Sequence, residues 1–298
     1  MTIFEPWLLF FQQWPLSFVV VVSLFSLCIG SFLNVVIHRL PKMMEASWQR
    51  DYQQYFHSDQ SAQTAAAVPT FNLAVPRSRC PKCQHPLALQ DNIPLLSYAL
   101  LAGRCRYCQT PISPRYPLVE LGTALLSALV AWQLGPTPTA LLFIAVTWVL
   151  VALSAIDIDT MLLPDQLTLP LLWLALMASV LGWSNVDATT ALIGAACGYL
   201  ALWSVFWLFK LATGKEGMGY GDFKLLAVFG ALLGWQQLPL IIILSSLVGA
   251  VVGAVILTVQ GRSRGSAIPF GPYIAAAGWI AMLWGDSITH GYLTWIGL

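Results

Sequence analysis

Along most of this chain apolar residues run in long blocks rather than alternating with polar ones. Residues 16–37 make a predominantly apolar stretch of 22 residues. At 1.5 Å per residue that length crosses about 30 Å of hydrocarbon. The stretch predicts a transmembrane helix that stops where His38, Arg39, Leu40 and Pro41 follow. Seven further blocks follow at 118–134, 139–156, 167–183, 189–211, 223–236, 238–259 and 268–285, giving eight predicted helices. Between the first two lies one polar insert, 39–115, in which 58–67 (SDQSAQTAAA) reads as a flexible linker. The pattern divides the chain into an N-terminal helix (1–38), an insert (39–116) and a seven-helix membrane domain (117–298). The expected class is an all-α polytopic membrane protein.

Composition agrees. Of 298 residues 58% are hydrophobic and 9% charged, against roughly 25% charged in a soluble domain. Mean hydropathy is +0.73. Lys and Arg number 14, nine of them within 39–115; Lys210, Lys215 and Lys224 surround the loop after the fifth helix, and Arg262 and Arg264 follow the seventh. Basic residues gather in cytoplasmic loops, so eight crossings with the N-terminus outside put all 14 on the cytoplasmic face. Trp7, Trp14, Trp132, Trp183, Trp235 and Trp284 then belt the opposite interface. The first 14 residues hold Glu5 and no Lys or Arg, unlike the basic start of a cleaved signal peptide, so this terminus is expected to be retained. A net charge of +1 without a basic run gives no footprint for nucleic acid.

Within the insert one knuckle occurs twice, CPKCQHP at 80–86 and CRYCQTP at 105–111. Two CxxC turns with 21 residues between them can close four thiolates around one zinc. Because four thiolates leave no open coordination position, the expected metal is structural. A reducing compartment disfavours the alternative of disulfides. Cys28 and Cys197, inside apolar helices, read as packing residues.

Two acidic segments stand at helix ends on the basic side. Asp157, Asp159 and Asp165 lie in AIDIDTMLLPD (155–165), and Asp222 in GMGYGDFK (217–224). Acids at such positions are candidates for chemistry. Two carboxylates held together share one proton, so that one activates water while the other polarises a carbonyl. Gly219 and Gly221 would give the backbone room to turn beside a substrate. Two other readings remain open on these residues: Asp222 as a helix N-cap, or the acids as the ion path of a proton-coupled transporter. The transporter reading suits midplane acids better than acids at helix ends. Helix dipoles would favour the shared proton on Asp157, at a helix C-terminus, over Asp222, at an N-terminus. Glu120, entering the second helix, reads as an interfacial or packing residue.

In these residues the chain resembles the type IV prepilin peptidases, GxGD-type membrane aspartic proteases of pilus and type II secretion systems. The resemblance rests on GSFLNVVIHRLP (30–41), both knuckles, RYPLVE (115–120), DIDTMLLPD (157–165), GKEGMGYGDFKLL (214–226) and IPFGPY (268–273). It implies a bacterial inner-membrane enzyme that cuts prepilins and pseudopilins on the cytoplasmic side after a glycine. It further implies methylation of the new N-terminus from S-adenosylmethionine; a peptidase without the second activity is the alternative. By resemblance the catalytic pair is Asp157 and Asp222; Gly219, Gly221, Lys224 and the neighbouring Asp159, to which the resemblance gives no role, are candidates for supporting it, and Cys80, Cys83, Cys105 and Cys108 are the zinc ligands that the spacing predicts. No GxGxxG follows a strand, so a Rossmann-type cofactor site is absent. Residues 30–34, Arg39 and the insert are methyltransferase candidates by resemblance only.

Overall fold

The computed structural model describes residues 5–56, 71–260 and 268–297. The linker at 58–67 and the loop with Arg262 and Arg264 lie outside the described residues. Among the described residues the chain is almost wholly helical: α1 (Glu5–Gln13), α2 (Pro15–Phe56), α3 (Leu96–Leu100), α4 (Arg115–Leu134), α5 (Pro138–Thr160), α6 (Asp165–Val180), α7 (Ala188–Thr213), α8 (Tyr220–Leu233), α9 (Leu238–Gln260) and α10 (Gly271–Trp295). Short 3-10 turns at Leu89–Asn92 and Trp235–Gln237 complete it.

All eight apolar blocks are helical, as α2 and α4 to α10. The first helix does not stop at Pro41: α2 continues through it for 42 residues in all. The fall in hydrophobicity at His38 marks the end of the apolar block and not of the backbone helix. Met43, Met44, Glu45, Ala46, Gln49 and Arg50 are good helix formers that carry the spiral past the one hydrogen bond proline removes. By length and composition, five helices can cross a membrane, the segments Pro15–Phe56, Arg115–Leu134, Pro138–Thr160, Ala188–Thr213 and Trp235–Val255. Helices α6 and α8 have 16 and 14 residues, about 24 and 21 Å at 1.5 Å per residue, and α10 is less apolar. The count of eight crossings is therefore not one that these helices establish.

The chain forms two compact units, Val21–Leu126 and the remainder (Met1–Val20 with Ser127–Leu298). In the larger unit local signals fix the helix ends. Thr137 caps α5 by accepting from the Ala140 N–H at 3.1 Å, with Pro138 in the first turn. Asp187 caps α7 through the N–H groups of Thr189 and Thr190 at 3.0 and 3.1 Å, and Gly214 ends α7 in the left-handed conformation.

At the centre of this unit is α8, ten of whose 14 residues are buried. A helix apolar on every face belongs inside a bundle, and α6, α7, α9 and α10 pack around it. Its approach to α7 depends on two glycines. A Cβ on Gly194 would collide with the carbonyl of Gly230, and one on Gly230 with the carbonyl of Gly194. Small residues let membrane helices close to backbone contact, where dispersion and weak C–H···O contacts hold them without a hydrophobic drive.

Gly230→Val should therefore wedge α7 from α8 and cost about 1–3 kcal/mol through overpacking. Thermal unfolding in detergent micelles should show a lowered Tm, while Gly291→Ala in α10, where a Cβ meets nothing within 4 Å, should leave it unchanged.

Candidate active site and metal centre

Helix α5 ends one turn beyond Asp157. Met161 adopts a left-handed conformation (φ 57°, ψ 32°) and donates its N–H to the Asp157 carbonyl, at 2.9 Å. That close leaves Asp157 on the buried side of the last turn, 5% exposed, while Ile158, Asp159 and Thr160 face outward. Asp222 is 6% exposed. The N-cap of α8 is Gly219, in extended conformation, so Asp222 stands in the first turn and not at the cap itself, with its carboxylate accepting from the Gly219 backbone. Asp222 lies in the first turn with its carboxyl turned inward, close enough to Asp157 for the two charges to act on each other.

Two residues without a predicted role build the wall around this pair. Gly271, the first residue of α10, donates its N–H to Asp157 Oδ2 at 3.0 Å. A Cβ on Gly271 would stand 2.7 Å from the same oxygen. This donor fixes Oδ2 as an acceptor, so a proton on Asp157 would have to sit on Oδ1, a constraint the helix-dipole argument does not contain. Leu163 wedges between Gly271 and Gly221: a Cβ on Gly221 would lie 2.6 Å from Leu163 Cβ, and one on Gly271 3.1 Å from both its methyls. Gly221 is thus required for packing against Leu163, and neither it nor Gly219 has a positive φ. The only trace of Gly271 in the sequence is the IPFGPY motif, which carries no spacing rule of its own.

Of the other predicted residues, Lys224 reaches across to Asp165, Nζ lying 2.6 and 2.8 Å from its two oxygens. This pair ties the first turn of α8 to the first turn of α6. Asp159 is exposed, unlike the buried pair. Two buried acids, each with a backbone partner, can hold a proton between them, activate water and polarise a carbonyl.

In the smaller unit the two knuckles repeat bond for bond. Cys80 N–H donates to His85 O and Gln84 N–H to Cys80 O; Cys105 N–H donates to Thr110 O and Gln109 N–H to Cys105 O, all at 2.9–3.0 Å. Gln84 and Gln109 both have φ of 57°, and each knuckle closes with one bridge, Arg79 to Pro86 and Arg104 to Pro111. The four Sγ atoms lie within 4.8 Å of one another. A tetrahedral zinc with bonds of about 2.3 Å needs sulfur separations of roughly 3.8 Å, so a small closure of the knuckles suits such an ion. The Thr110 hydroxyl, 3.2 Å from the Cys108 sulfur, together with the Thr110 backbone pulls that thiol down to about 6, as a thiolate ligand requires. Arg106, inside the second knuckle, donates Nε and Nη2 to Asp91 Oδ1 at 2.9 and 2.7 Å. His85 packs against the Tyr107 ring and is outside the sulfur cluster.

Arg39 and Glu120 are both buried here. Arg39 clamps the start of the insert core, donating to the carbonyls of Asn72 at 2.9 Å and Pro76 at 2.6 Å. Glu120 accepts the Leu95 N–H at 2.9 Å and so is more than an interfacial residue.

The family model for the bacterial peptidase A24 N-terminal domain matches residues 24–134, and that for the type IV leader peptidase family matches 144–254. A prepilin leader peptidase/N-methyltransferase of Aeromonas hydrophila is 58% identical over 289 residues, covering 97% of this chain and 95% of that protein. The protein of the same name from Pseudomonas aeruginosa is 54% identical over 293 residues (98% and 99%), and that of Legionella pneumophila 45% over 281 (94% and 96%). No solved structure matches the chain. With both family models satisfied in order and relatives alike over nearly their full length, this chain belongs to the type IV leader peptidase family, as a membrane protease of the prepilin leader peptidase/N-methyltransferase kind.

Proposed function

We propose that this chain cleaves the leader from type IV prepilins and type II pseudopilins just after a glycine, with Asp157 and Asp222 as its catalytic pair, and then N-methylates the new terminus. The observation that carries the peptidase assignment is the burial of both carboxylates within reach of each other's charge, with the Gly271 N–H on one of them. One proton resides on the pair. The ionised carboxylate takes a proton from the attacking water as its oxygen adds to the scissile carbonyl, and the protonated carboxyl donates a hydrogen bond to that carbonyl oxygen. On collapse the amine leaves with a proton delivered by the pair. Gly271 keeps Asp157 aimed, and the Lys224–Asp165 tie keeps Asp222 in register through α8. Asp159, exposed, has no part in the step.

The reading includes placement. Lys210, Lys215 and Lys224 lie in or next to the segment that carries Asp222, which supports an active site facing the cytoplasm from the bacterial inner membrane. Residues 39–116 act as the cytoplasmic insert and 117–298 as the peptidase domain. Cys80, Cys83, Cys105 and Cys108 hold one structural zinc, which supplies folding energy to a segment poor in core residues. S-adenosylmethionine supplies an electrophilic methyl group for the second reaction.

Assay of purified protein on a prepilin should show cleavage lost by at least about 100-fold in both Asp157→Asn and Asp222→Asn, with Asp159→Asn near wild type. Wild-type cleavage by Asp157→Asn, or by Asp222→Asn, would remove that residue from the pair. Methylation of pre-cleaved pilin should survive in both.

Gly271→Ala pushes a methyl into the Asp157 carboxylate and should slow cleavage by about 10- to 100-fold with little change in substrate KM. Elemental analysis of protein purified without chelators should find one zinc per chain. Chelation, or Cys80→Ser, should open residues 71–115 to limited proteolysis, and metal-free protein with an unchanged proteolysis pattern would refute the zinc assignment.

A further inference from the structure

The smaller unit contains a second buried acid that peptide cleavage does not use. Glu120, 8% exposed, accepts the Leu95 N–H at 2.9 Å on Oε2 and a hydrogen bond from the Ser31 side chain. One of these partners, Ser31, lines a cavity, and the other, Leu95, directly follows a lining residue. Ser31 lines a cavity of about 290 Å³ together with Cys28, Phe32, Ser78, Asn92 and Pro94, the residue before Leu95. The backbone is forced into place here: Leu95 has φ 57° and ψ −45°, a conformation unfavourable for a leucine. Gly30 admits α4 so closely that a Cβ would stand 2.7 Å from Glu120 Cα. A strained residue and a close helix contact both serve to hold one carboxylate behind a partly polar cavity, and packing alone asks for neither.

We propose that this cavity seats the primary amine exposed by leader cleavage, with Ser31 as its contact and Glu120 behind it as the proton acceptor for N-methylation. The inference rests on the methyltransferase half of the function proposed above. An α-amino group is mostly an ammonium ion near neutral pH and has no lone pair to attack with. One proton passes from the ammonium through the Ser31 hydroxyl to Glu120. The freed nitrogen lone pair then forms the N–C bond to the methyl group of a sulfonium donor, and the C–S bond breaks with its electrons going to sulfur. Glu120 afterwards releases its proton to water, so the cycle yields a secondary ammonium, a thioether and one proton. The cavity has room for the terminal residue of a peptide and offers hydroxyl and amide groups from Ser31, Ser78 and Asn92 to orient it.

The test uses the full chain, S-adenosylmethionine and a pre-cleaved pilin peptide with a free amine. Glu120→Gln keeps the shape and the acceptor for Leu95 but cannot take a proton. It should lower the methylation kcat at least 100-fold with the KM for the donor and prepilin cleavage unchanged, and Glu120→Asp should restore part of the rate. Independently, mass spectrometry of Cys28 alkylation should show slowing by the free-amine peptide and not by its N-acetylated form. Wild-type methylation by Glu120→Gln, or equal protection by both peptides, would overturn the proposal while leaving the methyltransferase intact. Failure of the wild-type chain to methylate the peptide would overturn both.

Discussion

Backbone contact between α7 and α8 is the constraint on which the larger unit depends. Gly194 and Gly230 meet with no side chain between them, and that lets a 14-residue helix sit with ten residues buried among α6, α7, α9 and α10. A helix so enclosed cannot slide or rotate without overlapping backbone, and dense packing makes such a displacement costly. Its first turn is therefore a fixed mount. Asp222 is on that mount, and Asp157 is on the last turn of α5, which α10 holds through the Trp279 Nε1 to Thr147 bond at 3.0 Å and the Gly271 N–H. The two acids come from segments 65 residues apart (222 minus 157), and their helices fix both.

Taking two carboxylates out of water is expensive, and the surroundings reduce that cost sparingly. One backbone N–H serves Asp157 and the Gly219 backbone serves Asp222, while Lys224 is committed to Asp165. A lysine left free beside the pair would hold both acids ionised and remove the shared proton that the proposed hydrolysis needs. The Lys224–Asp165 bond joins two helix starts and at the same time occupies the cation.

The smaller unit solves a different problem. Its insert has few buried apolar side chains, Cys80 and Cys105 among them, so local bonds and the sulfur cluster stand in for a core. The two knuckles repeat the same hydrogen bonds at the same φ, and Arg106 with Asp91 anchors the second. Arg39, reaching from α2 to the carbonyls of Asn72, Leu73 and Pro76, fastens the start of the insert to a helix. Order here comes from directional bonds to a few groups, which is how small core-poor domains are stabilised.

Sequence alone determined the class, the eight apolar blocks that became helices, the four cysteines and the two acidic motifs, because each is written as local pattern: block length, CxxC spacing and residue type near a helix end. It misjudged where α2 stops, since hydrophobicity reports the solvent a helix meets and not its hydrogen bonding. It also could not tell which blocks are long enough to cross a membrane once their true ends are fixed. Residue type alone left Asp159 beside Asp157 as a neighbouring acid; burial separates them, because positions two apart face opposite sides of a helix and only Asp157 is buried. The contacts of Gly271, Leu163 and Glu120 were decided by the fold alone. Each depends on contact with a segment far along the chain, Asp157 with Gly271 114 residues on and Leu95 with Glu120 25 residues on, and contact at such separation leaves no periodicity for a sequence to show.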